Sequence, residues 1–130
     1  MTVRERLERS PRARAEAKQV AMAVSWAERE IELTDEELAG ALGGVSPRTV
    51  ARWREEQQRP QPAAVIAAET LLGLAKALDT VFGTDKHRMQ AWLHETVQAF
   101  RGRTPLRMIV QGDAAKVVTL LANIDAGVFD

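Results

Sequence analysis

Apolar residues recur along this chain at steps of three and four, and nowhere do they alternate with polar ones over the length of a strand. A period near 3.6 lines one face of a helix, whereas a sheet needs a period of two. The chain is therefore expected to be all-α. From Pro11 to Leu33, the residues Val20, Val24, Ala27 and Ile31 mark one such face.

Short cap and proline signals divide the helices. Thr34 and Glu37 form the T-x-x-E capping box, so a helix is predicted after Thr34, running through Leu38 to Leu42 and stopped by Gly43 and Gly44. Ser46 is a good N-cap and Pro47 suits a first helical position, which opens a helix from Pro47 to about Gln57. The RPQP stretch at 59–62 then interrupts the chain, and a domain boundary is expected there. Beyond it, residues 63–83 read as one long helix with Val65, Leu72, Ala75, Leu78 and Phe82 on its inner stripe. Residues 85–100 predict another, with Met89, Trp92, Leu93, Val97 and Phe100 inward. Thr104 and Pro105 repeat the cap-and-proline start of a short helix ending at Gly112. Asp113 opens the last, with Val117, Leu120, Leu121 and Ile124 inward and Gly127 as its stop. The count is about seven helices. The expected organisation is a basic N-terminal tail over 1–18, open to disorder, a helix-turn-helix domain over 19–60, and a small helical bundle over 63–130.

Charge narrows the function. The whole chain is formally neutral, with 18 Lys and Arg against 18 Asp and Glu. The charges are nevertheless segregated. Residues 1–18 hold six basic against three acidic residues, and residues 28–37 hold six acids against Arg29 alone. Residues 43–60 turn basic again through Arg48, Arg52, Arg54 and Arg59. A neutral total thus leaves room for a local basic face of the kind phosphate contact requires.

The segments TDEELAGAL, GGV and SPRTVARWREE match a helix-turn-helix, whose second helix lies in the major groove. Val50 and Trp53 are three apart and should dock inward, leaving Arg48, Thr49 and Arg52 outward. Arg48 and Arg52 are four apart on one side of the helix, and arginine can grip phosphate or reach guanine O6 and N7 bidentately. Ser46, Arg48, Thr49 and Arg52 are therefore the candidate DNA-binding residues, with operator DNA as the expected ligand. A structural helical hairpin is the plain alternative.

The sequence offers little to enzyme chemistry. There is no cysteine, which excludes disulfides and thiolate zinc sites. His87 and His94, the only histidines, are seven apart, with Asp85 and Glu95 near them. Helical ligand pairs are usually three or four apart, and a solvated face is the better reading. No nucleophile elbow or phosphate-binding glycine loop occurs. No catalytic residue, metal or cofactor is expected. No apolar run of roughly 18 residues or secretory leader is evident, so a cytoplasmic protein without a membrane partner is expected.

Residues 91–130 resemble the toxin-binding domain of the Xre/MbcA/ParS antitoxin family. The matching features are Trp92-Leu93, Phe100 with Gly102, Thr104-Pro105-Leu106, Gly112, Val117 with Leu121, and the ending Ile124, Gly127 and Phe129. The helix-turn-helix sits where that family carries its Xre-like domain. The resemblance implies a type II antitoxin whose partner is a RES-domain toxin that consumes NAD⁺, with the C-terminal region covering the toxin's active site. It implies toxin contact through Asp125, Val128, Phe129 and Asp130, where an apolar aromatic beside carboxyl groups could fill a pocket. Arg101, Arg103 and Arg107, with Lys116, offer a polar rim. A homodimer, or a larger hetero-oligomer with the toxin, is expected. Two other readings stay open: a stand-alone transcriptional regulator with a dimerising C-terminal domain, and a pure inhibitor with a vestigial helix-turn-helix.

Overall fold

The structure, a computed structural model, describes Thr2 and residues 10–127. Seven α-helices follow one another: α1 (Pro11–Glu30), α2 (Asp35–Ala41), α3 (Pro47–Arg54), α4 (Pro62–Phe82), α5 (Lys86–Leu93), α6 (Pro105–Val110) and α7 (Ala114–Asp125), with a single 3-10 turn at Gln98–Phe100 before α6. The described residues contain no strand, only an isolated antiparallel bridge between Val97 and Arg103. The all-α expectation holds.

The predicted caps are in place. The Thr34 hydroxyl accepts the Glu37 N–H at 3.2 Å while the Glu37 carboxylate accepts the Thr34 N–H at 3.0 Å. Ser46 and Thr104 each accept an N–H from three residues on, at 3.1 Å. Such caps satisfy donors that a helix start otherwise leaves unpaired. Three of these starts also carry proline, at Pro11, Pro47 and Pro105. The helix boundaries are thus set locally.

Packing departs from the sequence reading in three places. First, α1 begins at Pro11, where Ser10 caps the Ala13 N–H, and Ala13 and Ala17 are buried. The expected tail over 1–18 therefore gives way to helix from Pro11 onward, because alanines at four-residue spacing let that turn pack. Second, the inner face of α4 is Ala64, Ala68, Leu71, Leu74 and Leu78, while Val65, Leu72, Ala75 and Phe82 are only half-buried. The helix is apolar nearly all round, so periodicity alone misplaced the stripe. Third, α5 stops at Leu93, and Val97 and Phe100 belong to the following loop. Val97 N–H donates to the Arg103 carbonyl at 3.1 Å, a pairing that a continued helix would forbid.

The RPQP stretch is a turn in the chain, and the core runs through it. Val20, Val24 and Ala27 of α1, Leu38 of α2 and Trp53 of α3 share one apolar cluster with Leu71 and Leu78 of α4, Leu93 of α5 and Leu121 of α7. Pro60 itself is buried. The expected division at 59–62 is corrected accordingly: α4 packs on α1 on one side and on α7 on the other, so neither half owns a separate core.

Candidate functional site

Two surfaces carry the residues singled out by sequence, one on α3 and one around the loop before α6. On α3, Val50 and Trp53 are buried, and the helix is seated against both α1 and α2. That seating turns Arg48 and Arg52 outward, where both are exposed. Arg48 has no ion-pair partner among the described residues, and Arg52 donates only a long contact of 3.4 Å to Gln58. Ser46 and Thr49 are engaged with each other: the Ser46 hydroxyl caps the Thr49 N–H, and the two hydroxyl oxygens lie 3.0 Å apart. They hold the start of α3 and present one shared polar point beside Arg48.

The sequence placed four arginines near this face, and the structure takes two of them away. Arg54 donates through Nε to Glu28 at 3.2 Å and through Nη2 to Asp35, joining α3 to α1 and to the start of α2. Its hydrogen bond to Asp35, and then the charges of Asp35 and Glu28, raise the guanidinium above its ordinary value against the opposing effect of burial. Arg59 lies 3.7 Å from Glu16 of α1. Arg54 was a clamp that sequence reasoning missed, because Glu28 stands 26 positions away; the acidic run at 28–37 was the one available signal.

The second surface is built by the loop between α5 and α6. Arg101 adopts a left-handed conformation with φ 55°, followed by Gly102 at φ 81°, and this double turn brings Arg103 back to pair with Val97. Arg103 is fixed by bonds to the Phe100 carbonyl at 3.2 Å and to the Gln111 side chain at 2.9 Å. An open hollow of about 530 Å³ lies here, with Phe100 and Met108 at its base and Arg101, Arg103 and Lys116 around it. Cations around an apolar base suit an acidic protein surface with an apolar centre. Arg107 is exposed on α6, and Asp125 is exposed in the last turn of α7. Val128, Phe129 and Asp130 lie outside the described residues. The structure thus brings Arg101 and Arg103 together with Lys116, and does not bring Arg107 or Asp125 into the same hollow.

His87 and His94 are both exposed, and among the described residues no group of three His, Asp or Glu side chains could hold a metal ion. Among the described residues no helix is long and apolar enough to cross a membrane.

Comparison with known proteins agrees with this arrangement. Residues 77–127 match the model of the antitoxin Xre/MbcA/ParS C-terminal toxin-binding domain, a span that runs from the end of α4 through α7 and includes the cationic hollow. The mycobacterial cidal antitoxin MbcA of Mycobacterium tuberculosis (strain ATCC 25618 / H37Rv) is 31% identical over 110 residues, which is 85% of this chain and 95% of that protein. The MbcA of Mycobacterium bovis is similar to the same extent. In three dimensions the fold is similar to a chain of the crystal structure of the M. tuberculosis MbcT–MbcA toxin–antitoxin complex, with a TM-score of 0.61 and 29% identity over 85% of this chain and 96% of that one. With a relative of that identity aligned over most of both sequences, the chain belongs to the Xre/MbcA/ParS antitoxin family and is not an enzyme.

Proposed function

We propose that this protein neutralises a cognate RES-domain toxin that degrades NAD⁺ by covering the toxin's active site with its C-terminal helical region, and that it represses its own operon through α2 and α3. The observation that carries the first part is the coincidence of the toxin-binding family model, residues 77–127, with the helices that frame the Arg101, Arg103 and Lys116 hollow. Inhibition of this kind needs no chemistry from the antitoxin. It needs a surface that excludes substrate and a contact tight enough to persist, with steering by opposite charge to form it quickly. The similarity to MbcA in its complex with MbcT supports the same mode of action here. The DNA part rests on Arg48 and Arg52, two unpaired cations on one side of a rigidly seated helix. Two cations per chain neutralise few phosphates, so operator binding requires a dimer or larger assembly and is strongly salt-dependent.

NAD⁺ consumption by the purified RES-domain toxin encoded beside this gene, titrated with the full-length protein, tests the first part. Inhibition saturating at a fixed stoichiometry is expected, and undiminished consumption at excess antitoxin refutes it. Anisotropy titrations of the gene's own promoter at several salt concentrations test the second.

A further inference from the structure

Among the described residues two glycines lie inside helices, and only one of them has a reason within the chain. Gly40 on α2 meets the backbone of Val110, where any side chain would collide. Gly73, in the middle of α4, meets nothing: a Cβ built there finds no atom within 4 Å. Glycine inside a helix is destabilising relative to alanine and is retained where another backbone approaches closely. No part of this chain makes that approach.

The face around Gly73 is built for company. Ile66 is 64% exposed and Met22 53%, the two large hydrophobic side chains most open to water. Helices α1 and α4 run side by side in the same direction, with Gln19 beside Val65 and Ile66 at one end and Trp26 beside Ala75 and Lys76 at the other. At the second end lies an open hollow of about 470 Å³ lined by Trp26, Ala75, Lys76, Asp79 and Met89. Glu69 and Lys76 flank Gly73 at steps of four and three, hence on its own face, and neither has an ion-pair partner.

We propose that the outer face of α4 is the interface between two copies of this chain, packed antiparallel about a two-fold axis beside Gly73. The charge pattern selects this arrangement. In an antiparallel pair Glu69 stands opposite the partner's Lys76, and the same contact is repeated by symmetry on the other side of the axis. A parallel pair would set Glu69 against the partner's Glu69. The antiparallel pair also carries Ile66 of each copy toward the hollow at Trp26 of the other, so that the exposed side chain and the open apolar space meet twice. The glycines at the crossing let the two helices approach closely. The interface adds a surface to the operator-binding reading above without depending on it, because it is tested with neither DNA nor toxin present.

Sedimentation equilibrium of the full-length protein over micromolar concentrations reads the dissociation constant of the pair. A monomer–dimer equilibrium is expected, and Ile66→Glu, Gly73→Leu and Lys76→Glu should each raise that constant by about tenfold or more, with far-ultraviolet circular dichroism unchanged. Combining Lys76→Glu with Glu69→Lys should restore association, since the swapped charges again face each other. A wild-type protein that stays monomeric overturns the proposal, as does a dimer indifferent to these substitutions or a double swap no better than the single. Association that appears only when the toxin is added assigns the face to the toxin and overturns it equally.

Discussion

Replacing Gly40 by alanine sets two effects of known sign against each other. Alanine in place of glycine inside a helix favours folding by about 1 kcal/mol. The added Cβ, however, would sit 2.4 Å from the carbonyl oxygen of Val110 and 3.6 Å from its carbonyl carbon. A carbon–oxygen contact is comfortable at roughly 3.3–3.6 Å, so α2 and α6 must separate by about 1 Å. The obstructing atom is backbone at the end of α6, so no rotamer change removes it. Separation loosens a region of the core where Leu38, Ile109 and Val110 pack together. Overpacking of a tight interior costs typically about 1–3 kcal/mol, and a rigid backbone clash belongs at or above the upper end. The expected net result is a protein less stable by about 1–3 kcal/mol. Urea unfolding followed by circular dichroism measures it, with the midpoint falling while the slope stays constant. A variant as stable as wild type, or more so, would mean that α2 and α6 part freely, and the close contact would then hold neither in place.

Arg52→Ala should weaken binding to the gene's own promoter by about 1–3 kcal/mol and lower the salt dependence, with the melting temperature unchanged, as read by anisotropy titration and a thermal scan. Arg54→Ala removes partly exposed ion pairs to Asp35 and Glu28, so a stability loss of about 1 kcal/mol is expected together with weaker promoter binding, because α3 is less firmly seated. A fragment of residues 63–130 should show poor thermal cooperativity, since it lacks the α1 side chains Val20, Val24 and Ala27 that cover α4; a sharp melt near that of the full chain would restore the boundary expected from the RPQP stretch. Deleting residues 128–130 removes a Phe129 anchor whose burial in a partner is worth roughly 1.5–3 kcal/mol, so inhibition of toxin NAD⁺ consumption should weaken by about tenfold or more while the melting temperature stays constant.

What the sequence reveals is what depends on a few neighbouring residues. The Thr34–Glu37 box and the starts at Ser46 and Thr104 are local chemistry, and each falls where the residues put it. The inner face of α4 is different, because leucines and alanines surround that helix and only the position of α1 and α7 decides that Ala68 and Leu71 are covered and Leu72 less so. The stop at Leu93 depends on a bridge from Val97 to Arg103 that a helical pattern conceals. Arg54 read as one more cation facing outward, since its partners are distant in sequence and adjacent only after folding. On the candidate surfaces, the free cations Arg48, Arg52 and Arg101 could be named from spacing, whereas their grouping could not. Arg103 and Lys116 share a hollow through the double turn at Arg101 and Gly102.

The continuity of the core bears on how the two proposed activities are to be separated. Helix α3 is held by Trp53 in the common core and by Arg54 on α1 and α2, while α2 touches α6 at Gly40. The helix proposed to read DNA and the helices proposed to hold the toxin are therefore supported by the same side chains. Removing either half strips cover from the other, so a truncated protein that fails to bind DNA or toxin reports on folding as much as on contact. Exposed side chains avoid this difficulty, because they contribute little to the core. Arg48 and Arg52 can be neutralised on one surface, and Arg101 and Lys116 on the other, each leaving the shared cluster intact. If the two activities respond independently to these two pairs, each surface acts through its own contacts. If neutralising Arg101 and Lys116 also changes promoter binding in the absence of toxin, the path from the loop before α6 through Val110 and Gly40 to α3 carries the effect, and Gly40→Ala should alter it further.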